Sequence, residues 1–212
     1  MRKLFALLMA LSFLSSCKND DDTPILIADH YPLSIGNYWV YQNVGIDSIG
    51  VETINTIIDS IVIKSDTVLN TKRYFILEGI KYTYNSNNWG IIDLLRDSAG
   101  YIINQNGIIR FAEYNFIDTL AKRVEVYNLD TLYTLSFKME KVPDPVTLLS
   151  GTYEVYNCKG TVLTPKEYPG VNNPRYLNNY YADGVGNVLS THVALSSPYR
   201  IEKRLLRYKT DK

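Results

Sequence analysis

A two-residue alternation of apolar and polar side chains, punctuated by turn residues, most constrains what this chain folds into. In Leu132-Tyr133-Thr134-Leu135-Ser136-Phe137-Lys138-Met139, the set Tyr133, Leu135, Phe137 and Met139 falls on one face of an extended strand, opposite Thr134, Ser136 and Lys138. The eighteen tyrosines, with many Ile, Val and Thr, agree with this pattern, because aromatic and β-branched side chains suit a pleated, half-buried surface. Ile57 to Ile63 is long enough for a helical segment, yet its β-branched density favours a strand. Further strands are expected at 38–44, 54–64, 73–78, 81–84, 91–96, 101–104, 108–114, 123–127, 153–162, 176–182, 185–195 and 199–209. Asn106-Gly107 and Asp183-Gly184 stand between strand candidates and suit the positive φ of hairpin turns. Pro143-Asp144-Pro145 and the stretch Pro165 to Pro174 read as longer connections, since proline removes a ladder donor. The expectation is an all-β, single antiparallel domain with little helix beyond the N-terminal segment.

That segment fixes a destination. Arg2 and Lys3 precede an apolar run, Leu4 to Leu14, and Leu14-Ser15-Ser16-Cys17 is a lipobox. Eleven residues fall well short of the roughly 20 that span a bilayer core, so a cleaved signal fits better than a permanent helix. Cys17 is then the lipidation site and the attachment to a membrane. Several acyl chains on one residue anchor stably, because each buried methylene contributes about 0.8 kcal/mol. The expected organisation is a signal peptide over 1–16, a lipidated acidic tether over 17–30 and a β-rich domain over 31–212. The acidic run Asp20-Asp21-Asp22 lacks the spaced oxygen ligands and glycine turn of a calcium loop.

Without residues 1–16 the chain has 196 residues and a net charge of −2, enough to bury one core. A near-neutral body argues against nucleic acid, whose binding rests largely on phosphate neutralisation. With Cys17 lipidated, Cys158 is the only other cysteine, so no internal disulfide is expected. Its strand-like surroundings, Tyr153 to Cys158, point to a buried structural thiol, with Lys159 on the opposite face.

Three short passages carry a resemblance. Lys18, Asn19, Asp20, Asp21 and Asp22, directly after Cys17, resemble the acidic export signal of surface lipoproteins in Bacteroidota. Tyr31-Pro32-Leu33-Ser34-Ile35-Gly36-Asn37-Tyr38-Trp39-Val40-Tyr41 is similar to a Pro-Leu-x-x-Gly-Asn-x-Trp-x-Tyr opening strand of uncharacterised lipoproteins of that phylum. Tyr181-Ala182-Asp183-Gly184-Val185-Gly186-Asn187-Val188 is similar to their Tyr-Ala-x-Gly-Val-Gly-x-Val hairpin, with Asn187 where an apolar residue is expected. The resemblance implies a curved antiparallel sheet or half-barrel and brings no activity. Read physically, Gly36-Asn37 turns the chain into a strand anchored by Trp39 and Tyr41, and Gly186 marks a bulge or close backbone approach.

No catalytic motif is visible: there is no His-Glu-x-x-His, no paired cysteines and no Gly-x-Ser-x-Gly turn. Of the two histidines, His30 is placed at the end of the tether and His192 on a solvent-facing strand side, so neither is assigned to a metal. No cofactor is expected. The leading function class is a noncatalytic binding or structural lipoprotein of the outer membrane, facing the cell surface, with a glycan or an envelope protein as partner. Asn172-Asn173 and Asn178-Asn179-Tyr180-Tyr181 are its candidate contacts. The second class is a lipid or lipoprotein carrier holding its cargo in an apolar groove of the curved sheet. A cell-envelope hydrolase without a recognisable motif is the third. The final run, Arg200 to Lys212, holds six basic and two acidic residues and reads as an edge strand guarded by charge, with contact to anionic headgroups as the alternative.

Overall fold

A computed structural model describes residues 29–83, 86–167 and 170–211. Cys17 and the tract Lys18-Asn19-Asp20-Asp21-Asp22 lie outside the described residues. The fold is all-β, with fifteen strands and no helix among the described residues. The first half contains β1 (Tyr38–Ile46), β2 (Glu52–Leu69), β3 (Lys72–Thr83), β4 (Ser86–Ser98), β5 (Tyr101–Asn104), β6 (Ile109–Ala112) and β7 (Ala121–Tyr127). The second contains β8 (Asp130–Lys141), β9 (Val146–Leu148), β10 (Gly151–Tyr153), β11 (Val155–Leu163), β12 (Arg175–Leu177), β13 (Asn179–Ala182), β14 (Gly186–Val193) and β15 (Arg200–Lys209).

Thirteen strands form one antiparallel sheet in the order β6-β5-β4-β3-β2-β1-β15-β14-β13-β11-β8-β7, with β12 also on β11. The sheet curls until it nearly closes into a barrel. Its two edges, β6 and β7, do not pair, and the barrel keeps a seam there. The β9–β10 hairpin forms a separate two-stranded unit tied to β15 by the hydroxyl of Ser150, which donates to the Leu205 carbonyl at 2.8 Å. Pro143-Asp144-Pro145 is a connection, as its prolines predict, and leads from β8 into this hairpin.

The first and last strands meet in the middle of the sheet, because β1 pairs with β15. β15 is therefore interior, not the charge-guarded edge expected from its composition. Its central cations are paired: Arg204 grips Glu52 and Glu202, and Lys203 pairs with Asp59 at 3.2 Å. The expected alternation in β8 is graded. Met139 is fully buried opposite Cys158, while the strand becomes more exposed toward its hairpin tip.

Turn chemistry departs from expectation. Asn106-Gly107 and Asp183-Gly184 do sit in β5–β6 and β13–β14 connections, but only their glycines adopt positive φ. The two-residue turns with positive φ at both positions are Asn70-Thr71, Ala99-Gly100 and Asn128-Leu129, each flanked by a paired residue on either side. Both-positive φ is the type I′ signature, whose twist matches that of a hairpin.

Candidate functional site

The segment before β1 is the structural centre of the interior. Asp29 starts it, bound through its N–H to the Asp183 carboxylate and through its carbonyl to the Gly184 N–H. His30 follows and is only 7% exposed. The sequence places this histidine on the tether, but it lies in the core: Nδ1 is 2.7 Å from Glu113 Oε1 beside β6, and the ring stacks on Tyr156 of β11 at 4.5 Å. His30 thus spans the seam between the two halves of the sheet. Tyr31 stacks on Tyr181 at 5.4 Å, and Phe111 packs against Tyr181 at 4.8 Å. Burial pushes the phenols of Tyr31, Tyr41 and Tyr181 well above the usual tyrosine range.

The two passages singled out in the sequence lock onto each other across about 146 residues. The Trp39 indole N–H donates to the Val185 carbonyl at 2.5 Å, and the Tyr41 hydroxyl donates to the Asn187 carbonyl at 2.9 Å. Gly186 makes the close approach possible: at φ +95° its backbone runs beside the Trp39 ring. Asn37, fully buried, accepts from the Asp211 N–H, donates to the Pro32 carbonyl and closes a bond from Ile63 to its own carbonyl. The backbone of Gly184 is likewise spent, on Asp29 and on the hydroxyl of Thr210. These motifs hold the start of β1 and the end of β15 to the β13–β14 turn.

The asparagine-rich contacts expected for a glycan or protein partner are mostly internal. Asn157, Asn178 and Asn179 bond to one another between β11 and β13, and Asn179 also holds the Cys158 carbonyl. Asn173 closes its loop on the backbone of Thr164 from both sides. Asn172 remains exposed. Tyrosine and asparagine in these stretches therefore build the sheet, and no sequence signal separated that use from recognition.

Space inside the barrel falls on either side of Tyr31. The larger inner cavity, about 480 Å³, has apolar walls of Tyr31, Leu33, Phe75, Ile102 and Phe111. Exposed Asp29, Asp97, Ala99 and Tyr114 form its mouth. Glu113 lies deeper, and burial pushes its carboxyl above the usual range despite the opposing pull of His30. The smaller cavity, about 210 Å³, reaches from Trp39 and Tyr41 to Ser190, His192 and Lys203. His192 is exposed, as its strand alternation predicts; partial desolvation, then the charge of Lys203, hold its pKa below the ordinary value. His30 and His192 share no cavity lining, and no group of three or more His, Cys, Asp or Glu side chains fit to hold a metal occurs among the described residues. Cys158 is buried and its thiol is pushed up to about 12 by desolvation, which fits an inert packing role. A third space of about 680 Å³ lies outside the barrel wall, under the β9–β10 hairpin, where the Arg204 ion pairs line it.

The chain is similar to two solved structures. One is described as a candidate lipoprotein of Parabacteroides distasonis, 15% identical, with a TM-score of 0.46 over 85% of this chain and 98% of that one. The other is described as a candidate exported protein with a YmcC-like fold from Bacteroides fragilis, 13% identical, with a TM-score of 0.45 over the same shares. No family model matches the chain, and no curated protein matches it.

Sequence reasoning missed three parts of this interior: His30, Glu113 and the cavity mouth at Ala99-Gly100. A polar-leading segment such as Asp29-His30-Tyr31 has no periodicity to mark it as core. Its partners, Glu113 and Tyr156, lie 83 and 126 positions away.

Proposed function

We propose that this chain is a lipid-anchored lipoprotein of the outer membrane, facing the cell surface, whose domain holds an acyl chain or similar apolar group without catalysing a reaction. The supporting observation is the inner cavity of about 480 Å³, with aromatic and aliphatic walls, whose mouth includes Asp29. Its volume lies within the roughly 300–1,000 Å³ typical of small-molecule sites. Of the binding roles open to such a protein, this is the carrier form, favoured because the Asn- and Tyr-rich loops are occupied in holding the sheet. Lipidation at Cys17 and export directed by Lys18 to Asp22 supply the address.

The test is native mass spectrometry of the full mature protein extracted from its host envelope. An adduct of lipid size beyond the acyl groups on Cys17 is expected, and Ile102→Trp, which fills the cavity, should abolish it. A bare mass for the wild type, with the acyl groups alone, would remove the carrier reading. Cys17→Ala should end incorporation of labelled palmitate, and labelling that persists in this variant would overturn the anchor.

A further inference from the structure

The chain enters the fold at one rim of the barrel, and that rim can be traced through its hydrogen bonds. Asp29 is held by Asp183 and Gly184, Gly184 by Thr210, and Asp211 by Asn37, which begins the turn into β1. The cavity mouth joins the same rim through Asp29, Gly100 and Tyr114, where the Tyr114 ring lies against Gly100. The β2–β3 hairpin projects beyond it, since the start of β1 pairs with Val62 while β2 runs on to Leu69. Around this rim stand apolar side chains turned to solvent: Ile35 at 47%, Val68 at 66%, Tyr114 at 67% and Ile117 at 83% exposed.

We infer that this rim rests on the bilayer that receives the lipid of Cys17, with Ile35, Val68, Tyr114 and Ile117 in the headgroup region and the cavity mouth open toward the lipid. The inference rests on the lipid anchor of the preceding reading and adds the domain's orientation and the route of its ligand. Eleven residues lie between Cys17 and Asp29, a contour of about 40 Å at most over the twelve steps. A tether that short keeps the rim at high effective concentration over the membrane, so that contacts too weak to bind alone are made. Side chains of this type settle at the boundary between headgroups and acyl chains. The charges at this rim lean acidic, Asp29, Asp97, Asp118, Asp183 and Asp211 against Lys72 and Lys209, which disfavours an anionic surface and leaves zwitterionic headgroups as the one it fits.

The experiment uses the mature lipidated protein in vesicles of phosphatidylcholine and phosphatidylethanolamine carrying a nitroxide at the headgroup. An environment-sensitive fluorophore is placed at Ile117→Cys or, as a control at the far end, at Leu129→Cys; native Cys158 is buried and does not compete for label. Quenching at position 117 with none at 129 is expected, and Ile35→Asp with Val68→Asp should reduce it to the level at 129. Native-like near-ultraviolet circular dichroism of that variant confirms its fold. Protein that floats with the vesicles but is quenched at neither position, or at 129 alone, overturns the orientation while leaving the anchor intact. Protein that does not float with the vesicles overturns the anchor and the orientation with it.

Discussion

At Gly186 an added methyl would lie 3.2 Å from Trp39 Nε1 and 3.4 Å from the ring of Pro32, in a backbone already at φ +95°. Gly107, at φ +78°, has nothing within 4 Å of the same position. Both substitutions to alanine carry the left-handed backbone cost of about 1–2 kcal/mol. Gly186→Ala should lose about 1 kcal/mol more, because it also overpacks the lock between the two motifs. Urea unfolding of the two variants isolates that difference, and equal losses would show that the lock is slack. At this scale the sequence was partly legible. The turn at Gly36, the anchoring of Trp39 and Tyr41 and the close approach at Gly186 follow from residue type. That these residues bind one another does not, because nothing local encodes a contact over 146 positions.

Turn propensity points to Asn-Gly and Asp-Gly, yet the tightest turns use Asn70-Thr71, Ala99-Gly100 and Asn128-Leu129. Strand pairing on either side imposes the turn and overrides the preference of its residues, so propensity alone could not find them. Leu129 shows the cost: it sits at φ +72° and is 97% exposed, with strain and no packing to offset it. Leu129→Gly should therefore raise stability by about 0.5–1 kcal/mol, the strain relieved less the added freedom of glycine when unfolded. A thermal midpoint unchanged or lowered would mean that the tip makes contacts in solution. The same logic explains β15, whose basic residues suggested an edge. Composition reports charge but not neighbours, and the acids that answer these cations, Glu52 and Asp59, come from a strand some 150 residues earlier.

For the whole molecule, the all-β single sheet is legible from alternation and composition, while its closure is not. His30 bridges the near-closed sheet from Glu113, after β6, to Tyr156 of β11, beside the unpaired edges. Burial raises the Glu113 carboxyl above 4.5, so the native state holds this proton more tightly than the unfolded chain. Stability from this group is complete below about pH 4.5 and declines as pH rises through its native pKa. Glu113→Gln has no such proton to lose. The stability of the wild type relative to this variant should fall as the pH of urea titrations rises from about 4.5 toward neutrality. A constant difference across that range would place the pair outside the balance of folding.

The entry of the chain at Asp29 also determines how the fold bears tension. A pull on the upstream chain reaches the β13–β14 turn first, through Asp183 and Gly184, and then the stacked ring of His30. It meets these few side-chain and turn contacts before any run of ladder hydrogen bonds. The mechanical weak point is therefore this entry segment: under load its contacts to Asp183, Gly184 and Tyr156 yield while the long central strands remain paired.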